Sequence, residues 1–205
     1  GYATGGAIAG VPLSAKFGLN QGFDVYEAPL RKAQKVNGKA LEFLDDHPDE
    51  PVFLFVHYWE AHWPYDPPAP YDSMYRDDPL ELTGSFNEIV DLRKALRRKD
   101  ADAELRSKGT KGLYAGGVTY TDSLIEPLLD GMRDRGILDE ALLVVTSDHG
   151  ESTDLHWDYW THGPSVYEET MRVPLLVRLP GGAHAGTVIE QPVSLVELFP
   201  TILEM

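Results

Sequence analysis

Two adjacent side chains with metal-binding chemistry, Asp148 and His149, close an apolar run in the stretch "VVTSDHGES". A carboxylate oxygen and an imidazole nitrogen are both ligands for a divalent cation, and neighbours at a turn can reach one ion together. Gly150 follows and leaves the backbone room to turn without a side chain in the way. A second apolar run, "PVFLFVH", ends on His57 and opens the loop "HYWEAHWPYDPP", so two run ends place acids and imidazoles at one rim. Two ligands do not complete a site, and Glu151, His156 and Asp158 are the nearest spare donors. The spacing fits a second reading equally well, in which Asp148 caps the next turn and His149 packs beside it.

The elements that must position these residues follow from the apolar pattern. "AIAGVPL", "PVFLFVH" (Pro51–His57), "ALLVVTS" (Ala141–Ser147) and "VPLLVRL" (Val173–Leu179) are continuous apolar runs, as expected of strands buried on both faces of a parallel sheet. Between them, Val36, Ala40, Leu41, Phe43 and Leu44 share one side of a helix over Ala33–Asp46. Tyr114, Val118, Thr121, Ile125, Leu128 and Met132 recur at helical steps up to Gly136, with Pro127 expected to kink or break that helix. Strand, helix, strand, helix, strand is the grammar of an α/β fold, whose ligands gather at the carboxyl ends of the strands. His57, Asp148 and His149 stand at such ends.

Composition bounds the rest. A chain of 205 residues with 42% hydrophobic content can bury one core. Its formal charge of -15, from 33 acidic against 18 basic residues, repels a polyanion, so no nucleic-acid partner is expected. The stretch "DLRKALRRKDADAELRSK" concentrates the basic residues and reads first as a solvated helix. No cysteine occurs, which excludes a thiolate site within these residues and leaves the redox compartment open. No run approaches ~18 apolar residues, so no transmembrane helix and no membrane partner are expected. The chain opens "GYATGGAIAG" without an initiator Met, so a front end is expected to have been removed, and the compartment and oligomeric state are left open.

Several ordered motifs carry a family resemblance. "YAGGVTYTDSLIEPLLDGMRDRGILDEALLVVTSDHGES" followed by "THGPSVYEETMRVPLLVRLPG" resembles the second half of the sulfatase family in the alkaline phosphatase superfamily. "GYATGGAIAG", "KFGLNQGFDVYE", "FLFVHYWEAHWPYDPP" and "QPVSLVELFPTILEM" extend the likeness towards both ends, leaving Asp72–Lys108 as a possible helical insertion in a partial catalytic domain over residues 1–205. The resemblance implies an alkaline phosphatase-like α/β sandwich with a mostly parallel central sheet, including Val52–Val56 and Leu142–Thr146 as central strands. It places Asp148 and His149 on the family's late metal-ligand pair, with Ca²⁺ as the expected cation and Mn²⁺ or Mg²⁺ as alternatives. It places His62, in "AHWP", where a histidine contacts the sulfate or phosphate oxygens, and His162, in "THGPSVYEE", near the leaving-group oxygen. His62 and Asp148 are therefore expected to face one pocket.

The implied activity is metal-dependent hydrolysis of small-molecule or saccharide sulfate esters. Hydrolysis of phosphodiesters or phosphonate monoesters, and an inactive binding module, are the alternatives. The family's acidic pair on an early strand and its C/S-x-P-S-R nucleophile motif, converted to formylglycine in sulfatases, have no match here. The nucleophile is thus expected outside this chain, turnover is expected of a longer parent, and the 205 residues alone are expected to be inactive. Trp59, Trp63 and Tyr65 fit either a pocket mouth or core packing, and Arg172 with Glu168 and Glu169 fits a structural ion pair.

Overall fold

A computed structural model describes residues 1–30, 32–153, 161–163 and 166–205. Three parallel strands, β1 (Ala3–Ala9), β2 (Val25–Leu30) and β3 (Val52–His57), form one sheet in the order β2-β1-β3. Small residues in β1 let helix α1 (Ala33–Asp46) sit close on it: a Cβ on Gly5 would meet the Phe43 ring at 2.8 Å. Val36, Ala40, Phe43 and Leu44 of α1 are buried against β1, together with Leu128, Met132 and Leu138.

Only one face of β3 takes part in this core. Val52, Leu54 and Val56 pack inward, whereas Phe53 and Phe55 are 44% and 42% exposed. The apolar run predicted burial on both faces, and the structure instead shows the alternation of a strand covered on one side, with aromatic residues on the open side.

The second sheet contains β4 (Leu143–Thr146) and β5 (Leu175–Arg178), paired antiparallel with Val144 opposite Val177. The two expected central strands, β3 and β4, thus belong to separate hydrogen-bonded sheets among the described residues. Both still contribute to one core, since Leu143 packs on the same cluster as Val52, Leu54 and Val56. An apolar run reports that a strand is covered, and it does not report which strand pairs with it. The mixed α/β class expected from the sequence holds, with its parallel part in β1, β2 and β3.

Two more helices brace the site loop. Helix α2 (Phe86–Arg98) begins at Ser85, whose side chain accepts from the Glu88 backbone N–H, while the Glu88 carboxylate accepts from Thr83. Far from being solvated all round, α2 buries Ile89, Leu92 and Ala95, and the first two join Tyr65 and Leu113 in a second core. Helix α3 (Ala103–Asp134) runs through Pro127 as one element instead of breaking there. Asn37 Nδ2 of α1 donates to the Leu124 carbonyl at 2.8 Å, tying α1 to α3 one turn before the proline. On α3 the expected stripe shifts: Val118 is exposed and Leu113, Gly117 and Leu124 are buried, while Leu128 and Met132 stay inside. A short helix α4 (Glu168–Met171) precedes β5, and α5 (Leu198–Glu204) lies near the carboxyl end with Phe199 and Leu203 exposed. No helix among the described residues is long and apolar enough to cross a membrane.

Candidate active site

The ends of β3 and β4 meet at the imidazoles. His162 stacks on His149 with ring centroids 3.9 Å apart and meets His62 edge-on at 5.0 Å. His62 is itself stacked on Trp59 at 3.9 Å. Three histidines, one from the loop after β3 and two from the stretch after β4, therefore line one wall, with Asp148 close enough to act electrostatically on His62 and His57. The structure brings together all four residues singled out in the sequence, His62, Asp148, His149 and His162.

Each ring is oriented by a specific acceptor. His62 Nδ1 lies 2.5 Å from the Trp63 carbonyl, which can only accept, so Nδ1 carries the proton and Nε2 faces away from the backbone. Burial holds the His62 pKa below its usual value, the Trp63 carbonyl opposes this, and the neighbouring His162 and His149 add to the lowering. His149 Nδ1 is 2.8 Å from the Gly150 carbonyl, which likewise leaves Nε2 as a lone-pair donor. That nitrogen lies 3.8 Å from Asp148 Oδ1. A ligand histidine usually has its tautomer set in this way by a second bond. The Asp148 side chain is 77% exposed, so its oxygens are available to an ion.

This donor pair fits a divalent cation as part of a site, not as a whole one. Among the described residues, no group of three or more His, Asp or Glu side chains could hold a metal ion. Glu151, a spare donor by sequence, is turned away from that role: its two carboxylate oxygens lie 3.1 and 3.3 Å from His162 Nδ1. His156 and Asp158, the other two, lie outside the described residues.

The loop after β3 is held by contacts with little sequence signal. Glu60 accepts from the Ala33 N–H at 2.9 Å and from the Trp59 N–H at 2.9 Å, tying the loop to the start of α1. Tyr58 donates to Asn37 Oδ1 at 2.5 Å, linking the same loop to the polar bridge on α3. His57 gives Nδ1 to the Ala9 carbonyl at 2.7 Å, and burial keeps its pKa low. Of the three aromatics, Tyr65 is core, Trp59 stacks on His62, and Trp63 lies between Phe86 of α2 and the His62 ring, 4.8 Å from the latter. Arg172 pairs with Glu168 at 3.1 Å in open solvent, away from the imidazoles.

Gly150 contributes space more than a turn. A Cβ there would fall on the Glu169 carbonyl, and the Gly150 N–H donates to the Thr170 carbonyl at 2.9 Å, so α4 is docked against the site turn. Beside His62 a groove of about 160 Å³ is lined by Trp59, Glu60, Pro64, Asp66 and Tyr120. A larger hollow of about 540 Å³ along α3 includes none of the imidazoles.

A family model described as Sulfatase matches residues 17–205. The chain belongs to the sulfatase family. Among sulfatases it is 29% identical over 191 residues to the arylsulfatase of Clostridium perfringens, covering 87% of this chain and 39% of that protein. It is 27% identical over 180 residues to the uncharacterized sulfatase YidJ of Escherichia coli, covering 84% of this chain and 35% of that protein. The sulfatase chain thus spans well under half the length of these relatives. Its fold matches the phosphonate monoester hydrolase of Agrobacterium radiobacter with a TM-score of 0.66 and 22% identity, over 86% of this chain and 40% of that one.

Proposed function

We propose that the polypeptide containing residues 1–205 hydrolyses sulfate esters and that these residues supply part of its cation site and most of its anion-facing histidines. The observation that carries this reading is the meeting of His62, His149 and His162 beside Asp148 in a chain of the sulfatase family. In hydrolysis, negative charge grows on the ester's non-bridging and leaving oxygens, and positioned donors lower the barrier by meeting that charge. Asp148 and His149 Nε2 would hold a divalent cation, which when bound neutralises the non-bridging oxygens. His62 faces those oxygens: it is neutral in the free site and becomes a two-sided donor when an anionic ester favours its protonated form. His162 sits at the leaving side and hands a proton to the departing oxygen.

Phosphonate monoesters are the second reading, favoured by the shared fold of the phosphonate monoester hydrolase. The deciding experiment uses the full-length polypeptide stripped of metal and then supplied with Ca²⁺, Mn²⁺ or Mg²⁺. Turnover of an aryl sulfate is compared with that of the matching phosphonate monoester and phosphodiester. We expect metal-dependent turnover, highest on the sulfate ester and abolished by Asp148→Ala. A preference for the phosphonate would establish the second reading. Activity that survives both chelation and Asp148→Ala would remove Asp148 from the site.

A further inference from the structure

Glu151 is a carboxylate where a fold would ordinarily put an apolar residue. Its side chain is 5% exposed, and among the described residues its hydrogen-bond partner is the His162 ring. Burying a carboxylate is costly unless it is matched by hydrogen-bond donors, so its persistence here needs a reason beyond packing. The backbone shows how the pair is made. Ser152 and Thr161 form an isolated antiparallel bridge, with Thr161 N–H donating to Ser152 O at 2.9 Å and Ser152 N–H to Thr161 O at 3.3 Å. Residues 151 and 162 flank that bridge on the same side, which sets them opposite one another as a cross-strand pair. Thr161 adopts a φ of 89°, a conformation unfavourable to a β-branched residue, immediately before the histidine that must be aimed.

The ring is therefore held on two sides. Glu151 takes Nδ1, His149 covers one face at 3.9 Å, and among the described residues Nε2 makes no hydrogen bond. From this geometry we infer that Glu151 is the positioning residue of the site: it fixes the Nδ1–H tautomer and ring plane of His162, so that Nε2 is the nitrogen presented to the leaving oxygen. The inference rests on the proposed ester hydrolysis. In that reaction an oxygen nucleophile forms the new bond to sulfur and the bond from sulfur to the leaving oxygen breaks. The electron pair stays on that oxygen, and the proton on His162 Nε2 moves to it. His162 keeps its other proton on Nδ1 against Glu151, ready to be recharged from solvent.

The test compares the full-length protein with its Glu151→Gln and Glu151→Ala variants, checked for folding by circular dichroism. The substrates are aryl sulfates of graded phenol acidity together with one alkyl sulfate. Gln retains an oxygen that can accept from Nδ1–H, whereas Ala does not. We expect Glu151→Ala to lower kcat by roughly tenfold or more. The loss should grow as the leaving group worsens, with KM within about twofold, and Glu151→Gln should restore most of the rate. A loss equal for every leaving group, or one confined to KM, would overturn the assignment. A second readout needs neither metal nor turnover. With ¹⁵N-labelled histidine, the neutral His162 ring should carry its proton on Nδ1 in the wild type and in Glu151→Gln, and become a mixture of tautomers in Glu151→Ala. An Nε2–H ring in the wild type would refute the inference. If the wild type hydrolysed none of the esters, the functional reading would fail while the tautomer result would still decide the role of Glu151.

Discussion

At the level of single residues, His62 is a ring with no freedom: Trp59 covers its face and the Trp63 carbonyl takes one nitrogen. Removing it takes away the imidazole that faces the ester together with its stacking on Trp59. His62→Ala is expected to lower kcat/KM of the full-length protein by ~10²–10³, the usual loss of one preorganised donor. A loss below tenfold would take His62 out of contact with the ester oxygens. The same burial predicts an acid-sensitive fold. His57 and His62 both have pKa values held below 6.5, the ordinary histidine value, first of all by desolvation. As pH falls through about 6.5 the unfolded chain binds protons that the folded chain does not, so stability declines below that point and is level above it. The denaturant midpoint should drop between about pH 7.5 and about pH 5.5. His57→Gln should flatten part of the slope, and an unchanged slope would show that His57 is not one of the groups responsible.

At the level of elements, Gly150→Ala tests how closely α4 docks on the site turn. The new methyl would strike backbone, the Glu169 carbonyl, which cannot rotate aside as a side chain would. A loss of about 1–3 kcal/mol is expected in a denaturant titration, the usual cost of overpacking, and a neutral result would mean that α4 is free to shift. Ser85→Ala should cost α2 about 1 kcal/mol by removing its cap. These elements also show what the sequence could and could not tell. The helix over Ala33–Asp46 was legible to the residue because its apolar stripe and its stop are both local signals. The stop of α3 just before Gly136, which has a φ of 68°, was legible for the same reason. The open faces of Phe53, Leu176 and Val177 were not, since a run of apolar residues looks the same whether one face or two is covered. Nor was the buried face of α2, whose Ile89, Leu92 and Ala95 are scattered among charges. Of the candidate site, Asp148 and His149 could be picked out by position, though the same spacing suits a capped turn, and His62 and His162 only through the family motifs. Glu60 gave no signal, because the N–H it caps on Ala33 lies 27 residues away in sequence.

At the level of the whole molecule, the outer side of the three-stranded sheet presents Phe53 and Phe55 to solvent on a chain of net charge -15. Contiguous exposed aromatics favour association while the charge opposes it, so the balance should respond to salt. Residues 1–205 alone are expected to self-associate more as ionic strength rises, and Phe53→Lys combined with Phe55→Lys should suppress this in light scattering. Equal association by the double variant would place the sticky surface elsewhere. The strand order has a further consequence for motion. β1 is bonded on both sides, to β2 and to β3, whereas among the described residues β4 and β5 have only each other. The backbone N–H groups of Gly6 to Ile8 point by turns at β2 and at β3, so none faces an open edge, whereas alternate N–H groups of β4 point away from β5. Deuterium should therefore enter the strand that carries Asp148 and His149 long before it reaches β1, leaving the half of the site that holds His57 and His62 anchored to the slowest-opening part of the chain.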